Sequence, residues 1–124
     1  MTASQGRANR LRGARAEVAV VNYLRTRDYG DARRYLAGDG RQPGDIDAIP
    51  GVCIEVKDRA ASSWPTWMSQ AVAEAGPHLV AVVVRRTRGQ RDVGEWPCRW
   101  VNPGGLAATP NRATFADFLN RLEN

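Results

Sequence analysis

Lysine is nearly absent from this chain of 124 residues: Lys57 is the single one among 18 basic residues, and all the others are arginines. Cysteine and histidine are almost as scarce, with two and one respectively. Two cysteines, each in a predicted strand (Cys53 and Cys98), read as reduced, buried thiols rather than as a disulfide scaffold. With one histidine they are too few and too scattered for a zinc site, and His78 reads as a strand-start residue without a chemical role. No apolar run exceeds Leu79 to Val84, far short of a bilayer span. The N-terminal stretch lacks the apolar segment of a secretory signal, so the expectation is a cytoplasmic protein with no membrane partner.

What is present is arginine, unevenly spread. The net charge is +5, which points to an anionic partner, most commonly nucleic acid. Arg7, Arg10, Arg12 and Arg15 crowd the N-terminus, and Arg85, Arg86, Arg88 and Arg91 crowd a later loop. Two such arms suit a phosphate backbone, whose counterions they would release; a compositional bias toward arginine would give the same clusters. Against that background one lysine stands out. Its ammonium is a compact point charge on a flexible stem, the cation chosen for proton chemistry rather than for a rigid fork.

The length suits one domain over 1–124, with about 1–9 as a flexible basic arm. Leu11, Ala14, Val18, Val21 and Leu24 recur at helical spacing and predict a helix over about Arg10 to Arg27. Glu17 lies on that face, where a carboxylate is costly unless a cation meets it; Arg33 or Arg34 is the plain structural partner. A turn at Asp28–Gly30, a short edge strand over Arg33–Ala37 and a glycine-rich loop follow. Ile46 and Ala48, then Val52, Ile54 and Val56, alternate with Asp45 and Asp47, then Cys53, Glu55 and Lys57, across a Pro50-Gly51 turn. This is a hairpin with acids and a lysine on one face, provided that the connection is odd in length or bulged.

Ser62 or Ser63 caps a second helix with Pro65 in its first turn. Its apolar stripe runs through Trp64, Trp67, Met68, Ala71, Val72 and Ala75, and Gly76-Pro77 stops it; the tryptophans read as core, with base stacking the alternative. Leu79–Val84 reads as a central strand covered on both faces. A strand around Arg99–Val101 and a helix capped by Thr114, with Phe115, Phe118, Leu119 and Leu122 inward, complete an α/β fold: a mixed central sheet flanked by helices.

Hydrolysis of a phosphodiester requires neutralised phosphoryl oxygens, an activated water and a stabilised leaving oxygen, work that one or two Mg²⁺ ions do in large part. Mg²⁺ takes oxygen ligands, typically a few carboxylates with waters and the substrate phosphate. An aspartate on one strand, a glutamate on the next and a lysine two residues on supply such a face. Asp47 shares the face with Asp45, so either can be the ligand; equally, Glu55–Lys57 can be a solvated strand pair and the aspartates turn residues.

The order Glu17, then Gly-Asp-Ile-Asp at 44–47, then Ile-Glu-Val-Lys at 54–57, then a helix carrying Gln70, resembles the PD-(D/E)XK nuclease superfamily over roughly Arg10 to Val84. It looks most like the small Holliday-junction-resolvase-like endonucleases of archaea and of phages and prophages. The usual proline before the aspartate is displaced by one residue, as Pro43-Gly44-Asp45. The resemblance implies a restriction-endonuclease-like core of order αβββαβ, plus a further strand and a C-terminal helix. It implies Mg²⁺, with Mn²⁺ able to substitute, held by Asp45, Glu55 and the Val56 carbonyl, with Glu17 joining directly or through water. Lys57 would position or activate the water, and Gln70 would steady Lys57 or the substrate. The implied substrate is DNA, in particular a branched or four-way junction, cut by a homodimer inside a bacterium or phage-infected host. The last helix or the Trp96–Trp100 region would be exposed for pairing. A nickase, a restriction- or repair-type nuclease, and an inactive DNA-binding module are the alternatives.

Overall fold

Leu79–Val84 sits where its apolarity on both faces requires, inside a six-stranded sheet. The computed structural model describes the backbone of residues 3–35 and 43–124, with side chains from Gly13 onward in those ranges. The strands are β1 (Arg33–Arg34), β2 (Ile46–Asp47), β3 (Val52–Lys57), β4 (Val80–Arg85), β5 (Pro97–Val101) and β6 (Asn111–Thr114). They lie in sequence order across the sheet, and only β3 and β4 run parallel. Helix α2 (Trp64–Ala75) makes the crossover that parallel neighbours need.

Two layers of helix cover the sheet. Helix α1 (Ala3–Thr26) and helix α3 (Phe115–Glu123) pack on one face, where Val20, Leu24, Ile54, Val82, Phe115 and Phe118 share a core. Helix α2 covers the other through Trp64, Trp67, Met68 and Ala71, against Cys53, Ala81 and Val83. Burying a side chain such as Phe115, which is 0% exposed, contributes about 1.5–3 kcal/mol. Both cysteines are free and buried, and burial drives their thiols up, that of Cys53 to about 12.

Several elements depart from the sequence expectation. Helix α1 starts at Ala3, where a basic arm over about 1–9 was expected. Its buried stripe is Ala16, Val20, Val21 and Leu24, and Val18 is 44% exposed. Ala16 and Val20, four residues apart, face the sheet, and Val18 between them lies on the opposite side of the helix. Strand β1 stops at Arg34, and 36–42 lie outside the described residues. Strand β6 and a helical turn at Val93–Glu95 were not expected: Asn-Arg-Ala-Thr has no apolar alternation, and β6 exists because β5 offers it a ladder edge. Ser63 is the N-cap residue of α2 but makes no side-chain capping bond, whereas Thr114 caps α3 by accepting from Asp117 N–H at 3.2 Å. Leu122 is 37% exposed rather than inward, and Trp96 and Trp100 are buried, so they offer no exposed pairing surface. Among the described residues no helix is long and apolar enough to cross a membrane.

Candidate active site

The site is made by a strand that ends early. Ile46 of β2 pairs with Ile54 of β3, which sets Asp45 beside Glu55 and resolves the hairpin register in favour of a shared acidic face. Asp45 N–H donates to the Ile54 carbonyl at 2.7 Å, and the chain then turns away at Gly44. That residue holds φ +84°, and a Cβ there would lie 2.7 Å from the Ile54 carbonyl oxygen, so only glycine fits. Strand β3 runs on past this point without a backbone partner from β2. The Asp45 carboxylate takes that place, its Oδ2 accepting Val56 N–H at 2.8 Å. The bond fixes the aspartate at the rim of the gap.

Into this gap opens a cleft of about 170 Å³ lined by Glu17, Asp45, Glu55, Val56 and Lys57, together with Gly13, Asp58 and Arg59. The four charged residues expected from the sequence therefore meet in one place, delivered by α1, the start of β2 and the end of β3. Asp47 is set apart: its Oδ2 accepts from the exposed Arg33 guanidinium at 3.1 Å on the sheet edge, so of these two aspartates Asp45 is the one that lines the cleft. Glu17 does have the structural partner, with Arg34 Nε donating to its Oε2 at 2.9 Å. Burial, and then the Asp45 carboxylate, nevertheless raise the Glu17 carboxyl above its ordinary range.

Gln70 is exposed on α2 and does not line the cleft. The α2 residue bonded to the cluster is Glu74, one helical turn further on the same face. Its Oε1 accepts Gly44 N–H at 2.8 Å, and its carboxylate shares a hydrogen bond with Glu55. Burial, then the Glu74 bond and the Asp45 charge, push the Glu55 carboxyl well above the usual carboxylate range. The bond to Glu55, the Gly44 N–H and the Lys57 ammonium hold Glu74 low. Nothing local in the sequence marks Glu74, an acid on the exposed side of an amphipathic helix.

Among the described residues no three acidic, histidine or cysteine side chains form a ready-made cation cage. The carboxylates are instead tied to hydrogen-bond donors and to one another. The donor chemistry suits a hard dication nonetheless: all are oxygens, and Asp45, Glu55 and Glu74 crowd negative charge that a cation would relieve.

The expected basic residues divide. The side chains of Arg7, Arg10 and Arg12 lie outside the described residues. Arg85 Nη2 donates to the carbonyls of Arg59 at 3.2 Å and Ala60 at 3.1 Å, pinning the loop after β3. Arg86 Nη1 donates to the Asp58 carboxylate at 3.0 Å; that side chain is only 4% exposed, so the pair links the acidic cleft to its neighbour. The neighbour, of about 330 Å³, brings Arg15, Arg86 and Arg91 together between α1 and the loop after β4. Arg88 is exposed. No family model matches the chain, and neither a curated protein nor a solved structure does.

Proposed function

We propose that the chain is a metal-dependent DNA endonuclease with a restriction-endonuclease-like core, belonging to the PD-(D/E)XK superfamily and acting as a homodimer on branched DNA such as a four-way junction. The observation that carries this reading is the convergence of Glu17, Asp45, Glu55 and Lys57 on one cleft at the point where β2 gives out and β3 continues. A bound divalent ion, Mg²⁺ or Mn²⁺, would supply neutralisation of phosphoryl charge and activation of water there, held by Asp45 and Glu55 with the Val56 carbonyl and Glu17 adjoining. Asp45 is oriented for this by its bond to Val56 N–H. Glu55 must give up its proton, which Glu74 is placed to share. Lys57, the one compact cation, orients an attacking water and offsets charge that builds on the scissile phosphate. The adjacent cleft offers Arg15 and Arg91 beside the Asp58-bound Arg86 and suits the flanking backbone, so the strand would be held by phosphate contacts rather than read by base.

The test is cleavage of a labelled four-way junction beside linear duplex and single strand, with Mg²⁺, with chelator, and with Lys57→Ala. Paired symmetric nicks on the junction alone, lost with chelator and in the variant, support the junction-resolving enzyme. Cutting of all three substrates leaves a nuclease of nickase, restriction or repair type. Tight binding without metal-dependent cutting overturns the catalytic role and leaves a DNA-binding module.

A further inference from the structure

Two arginines face each other on the far side of α2. Arg99 of β5 and Arg112 of β6 are register partners, a placement about 5 Å apart between Cα atoms, and like charges directly opposite are destabilising. Neither has a carboxylate partner among the described residues. Arg99 lies over the Trp64 ring at 4.5 Å, which fixes the guanidinium plane and leaves its edge N–H groups free to donate. The two line a cleft of about 210 Å³ whose remaining wall includes Trp64, Pro65, Ser69 and Pro110. Burial and the Arg112 charge depress the Arg99 guanidinium, as expected of a cation pair without its counter-charge.

We infer that this cleft is a phosphate-binding subsite, in which Arg99 and Arg112 hold a single backbone phosphate of a nucleic-acid strand and Trp64 orients Arg99. Two guanidinium forks converging from neighbouring strands can each donate to one of the two non-bridging oxygens of a phosphodiester, whose shared negative charge offsets their mutual repulsion. The ladder places the subsite relative to the acidic cleft: Glu55, Val83, Arg99 and Arg112 form one row across the sheet. The buried Val83 lies under α2, with acids on one flank of the helix and the arginine pair on the other. Three strand spacings put the Cα atoms of Glu55 and Arg112 about 14 Å apart, with α2 standing between them, so a strand that reaches both clefts would pass over that helix. The strand as source rests on the nucleic-acid reading above.

The experiment uses the full chain in chelator, in a Lys57→Ala background, with a labelled oligonucleotide and a labelled four-way junction followed by fluorescence anisotropy over a range of salt. Arg99→Gln and Arg112→Gln are each expected to weaken binding about three- to tenfold and to reduce the log–log salt slope by about 0.7–0.9, one phosphate contact. Arg121→Gln, on the opposite face over Trp100, serves as the control and leaves both unchanged. Melting temperature separates a binding role from a structural one: Arg112→Gln relieves repulsion and is expected to hold or raise it. Unchanged affinity in both cleft variants, with the parent binding, overturns this subsite alone. Failure of the parent to bind any nucleic acid overturns both this inference and the proposed function. Inorganic phosphate or poly-glutamate raising the melting temperature only when both arginines are present, without any change in strand affinity, overturns the strand as the source.

Discussion

The Asp45 carboxylate accepts the backbone N–H of Val56 at 2.8 Å, doing across a truncated hairpin what another residue of β2 would have done with its carbonyl. One side chain thereby closes the ladder and stands at the rim of the acidic cleft, so its structural and chemical roles can be separated by substitution.

Asp45→Ala leaves the part-buried Val56 N–H without its acceptor and is expected to destabilise the fold by about 1–3 kcal/mol. Asp45→Asn keeps an acceptor oxygen and is expected to lose less than half of that, while still abolishing metal-dependent cleavage. Urea unfolding of the three proteins checks the first statement, and junction cleavage the second. Equal stability losses in both variants would show that the charge, not the hydrogen bond, matters at this position.

The shared proton makes stability depend on pH in both directions. Glu55 has its folded carboxyl raised to about 10, by burial first and then by Glu74, so its contribution is complete below the unfolded carboxylate value of about 4.3 and is lost progressively as pH rises from there through the folded value. Glu74 has its carboxyl lowered, chiefly by the Glu55 bond, so its contribution is present above that value and is lost as pH falls. Metal-free protein should therefore be most stable in mildly acidic buffer. Glu55→Gln, which can donate to Glu74 at every pH, should melt higher than the parent in alkaline chelator and should flatten the decline. Thermal melts across pH check this; parallel curves for the two proteins would count against a proton held at Glu55.

Gly44→Ala meets two obstacles, the positive φ of +84° and a Cβ position 2.7 Å from the Ile54 carbonyl oxygen. Gly51→Ala meets only the first, since φ is +81° and nothing lies within 4 Å. The first substitution is expected to cost more than about 2 kcal/mol and the second about 1 kcal/mol. Gly44→Ala should also displace Asp45 and lose cleavage out of proportion to its loss of stability. Paired denaturation curves, with activity measured well below the transition, give the comparison.

Arg34→Ala removes the partner of Glu17 at a half-exposed position. The stability change is expected to stay within about 1 kcal/mol, as for other surface pairs. Glu17, already raised by burial and Asp45, loses its lowering influence and should bind a proton more tightly. The alkaline shift should be visible as a rise in the Glu17 carboxyl titration by NMR, and as cleavage that needs higher pH. An unchanged titration would show that Arg34 does not act on the cleft.

Much of this was legible in the chain. Helical spacing gave α2 with its Trp64, Trp67 and Met68 stripe, and two-faced apolarity gave β4, because burial on one or both faces imposes its period directly on the residues. The cleft residues were legible as well, since a lone lysine two positions past a glutamate on a strand is a strong departure from an arginine-rich background. The parts that escaped lack a local signal. Strand β6 has no apolar alternation, the face of α1 depended on which neighbouring stripe fitted the sheet, and Glu74 looked like any solvated helix acid until Gly44 and Glu55 were brought to it.

By itself the sequence determined the apolar period of α2 and β4, the stop of α2 at Gly76-Pro77, the Thr114 cap of α3 and the acidic face of the β2–β3 hairpin, all of which follow from interactions within a few residues of each other. Only the tertiary structure decided that Asp45 rather than Asp47 joins the cleft, that Arg85 and Arg86 are held within the protein, and that Arg99 meets Arg112 across a ladder. These outcomes depend on strand register and on where β2 stops, and register is set by the packing of distant residues, which no local window contains.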